Sequence, residues 1–137
     1  MTREDIISKV KALNLPKDSY IVFGSCPLAV LGIREANDID LLVTEEVLQQ
    51  LRSSGWQQIQ KGPRDCPLVF DIFEAHDSWE FSSYKPTLTD LQKSAMEIDG
   101  VPFAAIEEVR NWKLASGRLK DKEDLQLIRL YLQNNSK

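Results

Sequence analysis

Hydrophobic and polar residues alternate along this chain in two ways, at helical spacing in some segments and as short apolar runs in others. Ile6, Val10 and Leu13 recur at helical spacing, which predicts an amphipathic helix over residues 2–13. The β-branched and aromatic run Tyr20–Phe23 predicts a buried strand. Because segments of both kinds interleave to the C-terminus, the pattern predicts an α/β (α+β) fold, a small mixed sheet with helices packed on it.

The remaining elements follow from the same patterns and from the residues that begin and end them. Asp99-Gly100 predicts a two-residue hairpin turn, and Gly117 predicts the end of a helix. Two helices are expected at the C-terminal end. The predicted helices span about 27–33, 45–53, 107–116 and 121–133, with a short helix or a loop at 87–93, and the predicted strands span about 38–43, 56–60, 68–74, 95–98 and 101–105.

A Gly-Ser pair separates the first predicted strand from the helix that follows it. Pro27 suits the first turn of that helix, because proline has no N–H group to lose there. A turn of this kind exposes backbone N–H groups at the positive end of the helix dipole, so Gly24 and Ser25 are candidate ligands of a phosphate group. The alternative is that Gly24 only lets the chain turn and Ser25 only caps the helix.

Two aspartates, Asp38 and Asp40, stand one residue apart at the start of the next predicted strand. Side chains alternate along a strand, so the two carboxylates share one face. Like charges on one face of an apolar strand repel each other and lose hydration. Mg²⁺ is a natural partner, because it prefers carboxylate oxygens together with phosphates. The alternative is a strand start that points two hydrated acids into solvent.

A third carboxylate, Asp71, interrupts the apolar segment 68–74. Buried strands rarely tolerate an acid without a partner. If this strand lies beside the strand of Asp38 and Asp40, three carboxylates converge. His76, the only histidine, follows the same segment, and we interpret it as a surface or structural residue, because chemistry assisted by a bound metal needs no imidazole.

Composition and charge narrow the class of protein. A chain of 137 residues predicts one domain, spanning residues 1–137. The net charge of −4 argues against a general nucleic-acid coat, which would be basic. Cys26 and Cys66 lack metal-ligand spacing and are expected to be free thiols. Without a signal-peptide pattern or an apolar run near ~18 residues, we expect a cytoplasmic protein with no membrane span.

The order of the Gly-Ser pair, the helix, the Asp-x-Asp strand and the later lone aspartate resembles the DNA polymerase β-type nucleotidyltransferase superfamily. The likeness is closer to its small bacterial and archaeal members, which include the toxin-type nucleotidyltransferases of toxin–antitoxin pairs. In that group the segment before the acidic pair often reads Gly-Ile-Arg, as Gly32-Ile33-Arg34 does here. The group also often ends with a lysine, then Arg-x-Lys-Asp, then an aspartate three residues on, here Lys113, Arg118, Lys120, Asp121 and Asp124.

The resemblance implies an enzyme that transfers a nucleoside monophosphate from an NTP to an acceptor hydroxyl and releases pyrophosphate. It also implies that the catalytic residues Asp38, Asp40 and Asp71 bind two Mg²⁺ ions. By the same likeness, Gly24 and Ser25 hold the triphosphate. The sequence therefore offers one site in which a phosphate cradle faces a metal-binding cluster.

Three basic residues near the C-terminus, Lys113, Arg118 and Lys120, are candidate triphosphate ligands by the same resemblance. The alternative is that they only balance the dipoles at the ends of two helices. The acceptor is expected to be RNA, a protein or a small molecule, and an antitoxin-type protein is an expected partner. A second function class stays open, a catalytically inactive protein of this fold that binds a nucleotide, RNA or a partner protein.

Overall fold

The structure, a computed structural model, describes residues 1–63, 65–81 and 83–135. Its helices and strands interleave along the chain, as the hydrophobic pattern predicts. The helices are α1 (Arg3–Ala12), α2 (Cys26–Val30), α3 (Glu45–Ser53), α4 (Leu88–Lys93), α5 (Ile106–Ser116) and α6 (Asp121–Asn135). The strands are β1 (Tyr20–Phe23), β2 (Ile39–Val43), β3 (Gln57–Gln58), β4 (Leu68–Phe70), β5 (Phe73–His76), β6 (Met96–Ile98) and β7 (Val101–Phe103).

The described residues form a mixed sheet of seven strands in the order β3-β4-β5-β2-β1-β7-β6. β2 lies in the centre, antiparallel to β1 and parallel to β5. β7 runs parallel to β1, and hairpins place β4 beside β5 and β6 beside β7. This architecture confirms the predicted fold class, with α5 and α6 as the two C-terminal helices.

The two faces of the sheet pack against different helices. Ile39, Leu41 and Val43 of β2 join the apolar cluster that contains residues of α1 and α3. Leu42 joins the second apolar cluster, which contains residues of α5 and α6. Because side chains alternate along a strand, Asp40 lies on the same face as Leu42, the face that α5 and α6 cover.

Several ends of elements follow from local sequence signals. The Thr44 hydroxyl accepts a hydrogen bond of 3.2 Å from the Val47 backbone N–H and so caps α3. Gly117 ends α5 in the left-handed conformation, with φ of 62°. Asp99 and Gly100 both have positive φ, 50° and 83°, as a tight turn between paired strands requires. The predicted helix end at Gly117 and the predicted hairpin turn at Asp99-Gly100 are confirmed.

The prediction of a single strand over residues 68–74 is wrong. The segment forms a tight hairpin, in which Phe70 of β4 pairs with Phe73 of β5. Asp71 and Ile72 make the two-residue turn, and Asp71 has φ of 54°, a left-handed conformation that aspartate tolerates better than most residues. Because apolar residues lie on both sides of the turn, the hydrophobic pattern resembled that of one continuous strand and gave no sign of the reversal.

Two other predicted elements prove shorter than expected. Helix α2 ends at Val30, before the predicted end at residue 33, since Gly32 turns the chain with φ of 76°. Strand β3 contains only Gln57 and Gln58, and the adjacent Trp56 side chain packs into the core. The segment 87–93, left open between helix and loop, contains helix α4. Among the described residues, no helix is both long enough and apolar enough to cross a membrane.

Candidate active site

The parallel pairing of β2 and β5 creates a cluster of possible metal ligands at the centre of the sheet. Asp40 pairs with Glu74, and Leu42 pairs with His76. Paired residues of adjacent strands point to the same face, so Glu74 and His76 lie on the Asp40 face. One ligand atom from each of Asp40, Glu74 and His76 lies within 4.8 Å of the other two.

His76 belongs to this cluster, which the sequence interpretation did not foresee. Its Nε2 lies 3.6 Å from Oδ1 of Asp40. That nitrogen is buried and has no hydrogen-bond partner among the described residues, while the ring packs edge-on against Trp79 at 5.0 Å between centroids. The alternation Phe73-Glu74-Ala75-His76 is the signal that predicts a shared face for Glu74 and His76, once the segment is assigned to a strand of its own.

Asp38 precedes β2 by one residue and is exposed. Partial burial of its carboxyl group raises its pKa, the Glu74 charge raises it further, and the Lys61 and Lys120 charges oppose that rise. The Asp38 carbonyl accepts a hydrogen bond of 3.3 Å from the Cys26 thiol. Burial raises the pKa of Cys26 to about 12, with Asp40 and Asp38 adding to the effect, so this thiol is a neutral structural donor and not a nucleophile.

Asp71 does not lie on a strand beside Asp40. It is exposed in the turn between β4 and β5, and the cluster of converging ligand atoms contains Glu74 in its place. Asp71 is therefore the residue that turns the chain, and Glu74, the acid aligned with Asp40, lies three residues later. A catalytic role for Asp71 stays a prediction, and the geometry favours Glu74 as the third carboxylate.

The Gly-Ser turn adjoins the cluster directly. Gly24 has φ of 69°, and a Cβ atom added there would overlap Oδ2 of Asp40. Only glycine lets the backbone after β1 approach the Asp40 carboxylate so closely. Ser25 occupies the N-cap position of α2, but its side chain makes no capping hydrogen bond. The structure therefore does not support the alternative that Ser25 only caps the helix through its side chain.

A second charged network lies between α5 and α6. It contains two of the three basic residues that were predicted to bind the triphosphate. Lys113 is only 3% exposed, and its Nζ lies 3.1 Å from Oδ1 of Asp121 and 2.8 Å from Oδ2 of Asp124. Nε of Arg118 lies 2.8 Å from Oδ2 of Asp121, and Nη1 of Arg34 lies 2.8 Å from both oxygens of Asp124. Lys113 and Arg118 thus hold the first turn of α6.

This network also fixes the ionisation of Asp121. Burial alone would raise the pKa of its carboxyl group, but hydrogen bonds from Arg118 and Lys113 outweigh burial, so the pKa is lowered. Lys120 differs from its neighbours, because it is exposed and its charge acts on Asp38. Triphosphate binding by Lys113, Arg118 and Lys120 stays a prediction, and the exposure of Lys120 favours it over the paired Lys113 and Arg118.

The chemistry of the cluster fits a divalent cation. The Asp40 and Glu74 carboxylates of the cluster supply hard oxygen ligands that Mg²⁺ and Mn²⁺ accept. Asp38, one residue before β2, carries a third carboxylate of the same kind. The unpartnered Nε2 of His76 is a further ligand atom on the same face. Removing several carboxylates from water without a cation is costly, so a bound metal would relieve this cost.

Comparison with known proteins shows which fold this is. No protein-family model matches the chain, and no curated protein matches it. The structure is similar to that of TM1012 from Thermotoga maritima, itself provisionally assigned as a nucleotidyltransferase, at 22% identity, a TM-score of 0.60 and coverage of 98% of this chain and 97% of that chain. It is also similar to ANT(2″)-Ia, solved in complex with adenylyl-2″-tobramycin, at 16% identity, a TM-score of 0.55 and coverage of 93% and 85%. The chain therefore has a nucleotidyltransferase-like fold.

Proposed function

We propose that this protein transfers a nucleoside monophosphate from an NTP to an acceptor hydroxyl. The acceptor oxygen forms a bond to the α-phosphorus, the bond from that phosphorus to the bridging oxygen breaks, and pyrophosphate leaves. The observation that supports this proposal best is the convergence of Asp40, Glu74 and His76 beside the Gly24 turn. Carboxylates next to a tight glycine turn suit an NTP loaded with a divalent cation.

Asp38, Asp40 and Glu74 would hold the metal. Asp71 is the third ligand that the sequence resemblance implies, but it lies in the turn before β5, so we assign this role to Glu74. When bound, Mg²⁺ would neutralise charge on the triphosphate and lower the pKa of the acceptor hydroxyl. The strand pairing of β2 with β5 holds the Asp40 and Glu74 carboxylates side by side before any substrate arrives.

The phosphates would lie against the backbone of Gly24, with the Ser25 hydroxyl as a donor. The close approach of the Gly24 backbone to Asp40 puts this turn next to the metal ligands. Lys120 would supply a positive charge from the α5–α6 connection, since its charge already acts on Asp38. We assign Lys113 and Arg118 a positioning role, because their charged groups bind Asp121 and Asp124.

The acceptor would be an RNA, a protein side chain or a small molecule. The complex of ANT(2″)-Ia with adenylyl-2″-tobramycin supports a small-molecule hydroxyl as one candidate for this fold. A labelling experiment assigns the class directly. Purified protein is incubated with Mg²⁺, cell extract and each NTP carrying ³²P at the α-phosphate, and the extract is then separated into RNA, protein and small molecules.

We expect label in one of these fractions and none with the Asp38→Asn/Asp40→Asn variant. This variant should remain folded, because a raised pKa means that the folded protein disfavours the Asp38 charge. A folded wild-type protein that labels no fraction with any NTP would contradict the proposal. Metal-dependent NTP binding without labelling would instead identify a catalytically inactive binding protein.

A further inference from the structure

Lys61 reaches the carboxylate cluster from the loop between β3 and β4. Its Nζ lies 2.9 Å from Oε1 of Glu74, whose side chain is only 12% exposed. A cation attached to the chain therefore already pairs with one of the three carboxylates assigned to the metal.

Backbone hydrogen bonds fix Lys61 and Gly62, while the Lys61 side chain is partly exposed. The Lys61 backbone N–H donates to the Asp65 carbonyl at 2.7 Å, and Gly62 forms a β-bridge with Asp65. The Lys61 side chain is 42% exposed. Its flexible methylene chain can thus move the ammonium group several ångströms without any change in the loop backbone.

We propose that Lys61 is the counter-ion of the Asp38, Asp40 and Glu74 carboxylates when no metal is bound. When a divalent cation binds, the Lys61 ammonium group leaves Glu74 and pairs with the triphosphate instead. This inference rests on the proposed function, since it takes the cluster to be the metal site. It adds a positioning residue that couples loading of the metal to binding of the phosphates.

The strengths of the interactions favour exchange over retention. An ion pair with one partner that is 42% exposed is weakened, because water competes for the exposed charge. A divalent cation attracts the same carboxylate more strongly and repels an ammonium group that shares it. The released ammonium group then lies beside the most negative ligand in the site, the triphosphate. If Lys61 instead remained on Glu74 to orient it, removing Lys61 would weaken metal binding, which is the opposite effect.

The sign of the change in metal affinity tests this inference. Binding of Mn²⁺ without nucleotide is measured from the electron paramagnetic resonance signal of free Mn²⁺ for wild type, Lys61→Met, Lys61→Arg and Lys93→Met. Lys93 is an exposed lysine of α4 and controls for the loss of one positive charge. We expect Lys61→Met to bind Mn²⁺ about three- to tenfold more tightly and the other two variants to resemble wild type.

Binding of inorganic tripolyphosphate in the presence of Mg²⁺, measured by calorimetry, tests the second half of the exchange. Lys61→Met should bind tripolyphosphate several-fold more weakly although it binds the metal more tightly, a pair of opposite changes that a loss of folding would not produce. Unchanged or weaker Mn²⁺ binding by Lys61→Met, or no Mn²⁺ binding by either protein, would overturn the inference. Unchanged tripolyphosphate binding would overturn the exchange.

A further variant, Asp40→Asn, distinguishes failure of the proposed function from failure of the role assigned to Lys61. Asp40→Asn is titrated with Mn²⁺ in the same way. If it binds Mn²⁺ as well as wild type does, the metal lies outside the cluster, and the metal-dependent transfer at this site fails together with the inference. If Asp40→Asn loses Mn²⁺ while Lys61→Met leaves the affinity unchanged, only the role of Lys61 fails.

Discussion

Nη1 of Arg34 lies 2.8 Å from both carboxylate oxygens of Asp124, although 90 positions separate the two residues in the chain. Arg34 belongs to the segment that leads into the acidic pair, and Asp124 belongs to the first turn of α6. The two sequence segments that resemble nucleotidyltransferases therefore meet in space. Lys113 completes the contact with an ion pair of 2.8 Å to Asp124, so the network fastens the C-terminal helices to the loop before Asp38.

We predict that Asp124→Asn lowers the free energy of unfolding by about 3 kcal/mol. The substitution keeps the size of the side chain but leaves the buried ammonium of Lys113 with one carboxylate instead of two. Urea denaturation followed by circular dichroism measures the change. Glu123→Gln is the matched control, since Glu123 is exposed in the same helical turn. A loss below about 1 kcal/mol for Asp124→Asn would show that the network contributes little to stability.

The lowered pKa of Asp121 makes stability depend on acid pH. Because the folded protein binds this proton less readily than the unfolded chain does, the ionised carboxylate contributes stability above about pH 4. That contribution disappears as the pH falls through the lower pKa of the folded state. We expect Asp121→Asn to be less stable than wild type at pH 7 and the difference to shrink towards pH 2 in urea titrations. A difference that stays constant over this range would refute the linkage.

The variants Gly24→Ala and Gly32→Ala distinguish two effects of a substitution, backbone strain and steric overlap with the Asp40 carboxylate. Both glycines have positive φ, 69° and 76°, so each alanine costs about 1–2 kcal/mol in the left-handed region. Only at Gly24 would the new methyl group overlap the Asp40 carboxylate, and at Gly32 nothing lies within 4 Å. We expect both variants to lose stability in urea titrations, but only Gly24→Ala to lose Mn²⁺ binding. Equal Mn²⁺ affinities would mean that the turn does not support the metal ligands.

The sequence allows prediction of those features that depend on neighbouring residues. Gly117 and the Asp99-Gly100 turn require positive φ. Glycine adopts positive φ at little cost, so a glycine in the sequence indicates such a position directly. The acidic pair is visible because Asp38 and Asp40 lie one residue apart. In each case the relevant partner is within a few positions, so no knowledge of the tertiary fold is needed.

The features that could not be predicted depend on pairing between distant segments. Glu74 joins Asp40 only because β5 runs parallel to β2 in one particular register, with Asp40 opposite Glu74. Lys113 was expected to bind the triphosphate because its segment resembles the C-terminal segment of small nucleotidyltransferases. Its burial against Asp124 arises from the packing of α5 on α6, which a linear pattern does not contain.

Glu74→Gln and Asp71→Asn test which acid is the third metal ligand. We expect Glu74→Gln to lower kcat/KM for nucleotidyl transfer by about 100-fold or more, since a carboxylate aligned with Asp40 is lost. Asp71→Asn should stay within about twofold of wild type, because Asp71 is an exposed turn residue and asparagine also tolerates positive φ. Mn²⁺ binding should follow the same order. The reverse order of the two variants would restore Asp71 as the ligand.

His76→Gln tests whether the imidazole is a ligand of the metal. Within the part of the chain that the structure describes, the buried Nε2 has no hydrogen-bond partner, and it lies 3.6 Å from Oδ1 of Asp40, so a cation held by the cluster would gain a nitrogen ligand. Nitrogen ligands favour Co²⁺ over Mg²⁺, whereas oxygen ligands suit Mg²⁺. We therefore expect His76→Gln to weaken Co²⁺ binding about tenfold and to shift the visible absorption of bound Co²⁺, while Mg²⁺ binding changes little. An unchanged Co²⁺ spectrum would show that His76 only packs against Trp79.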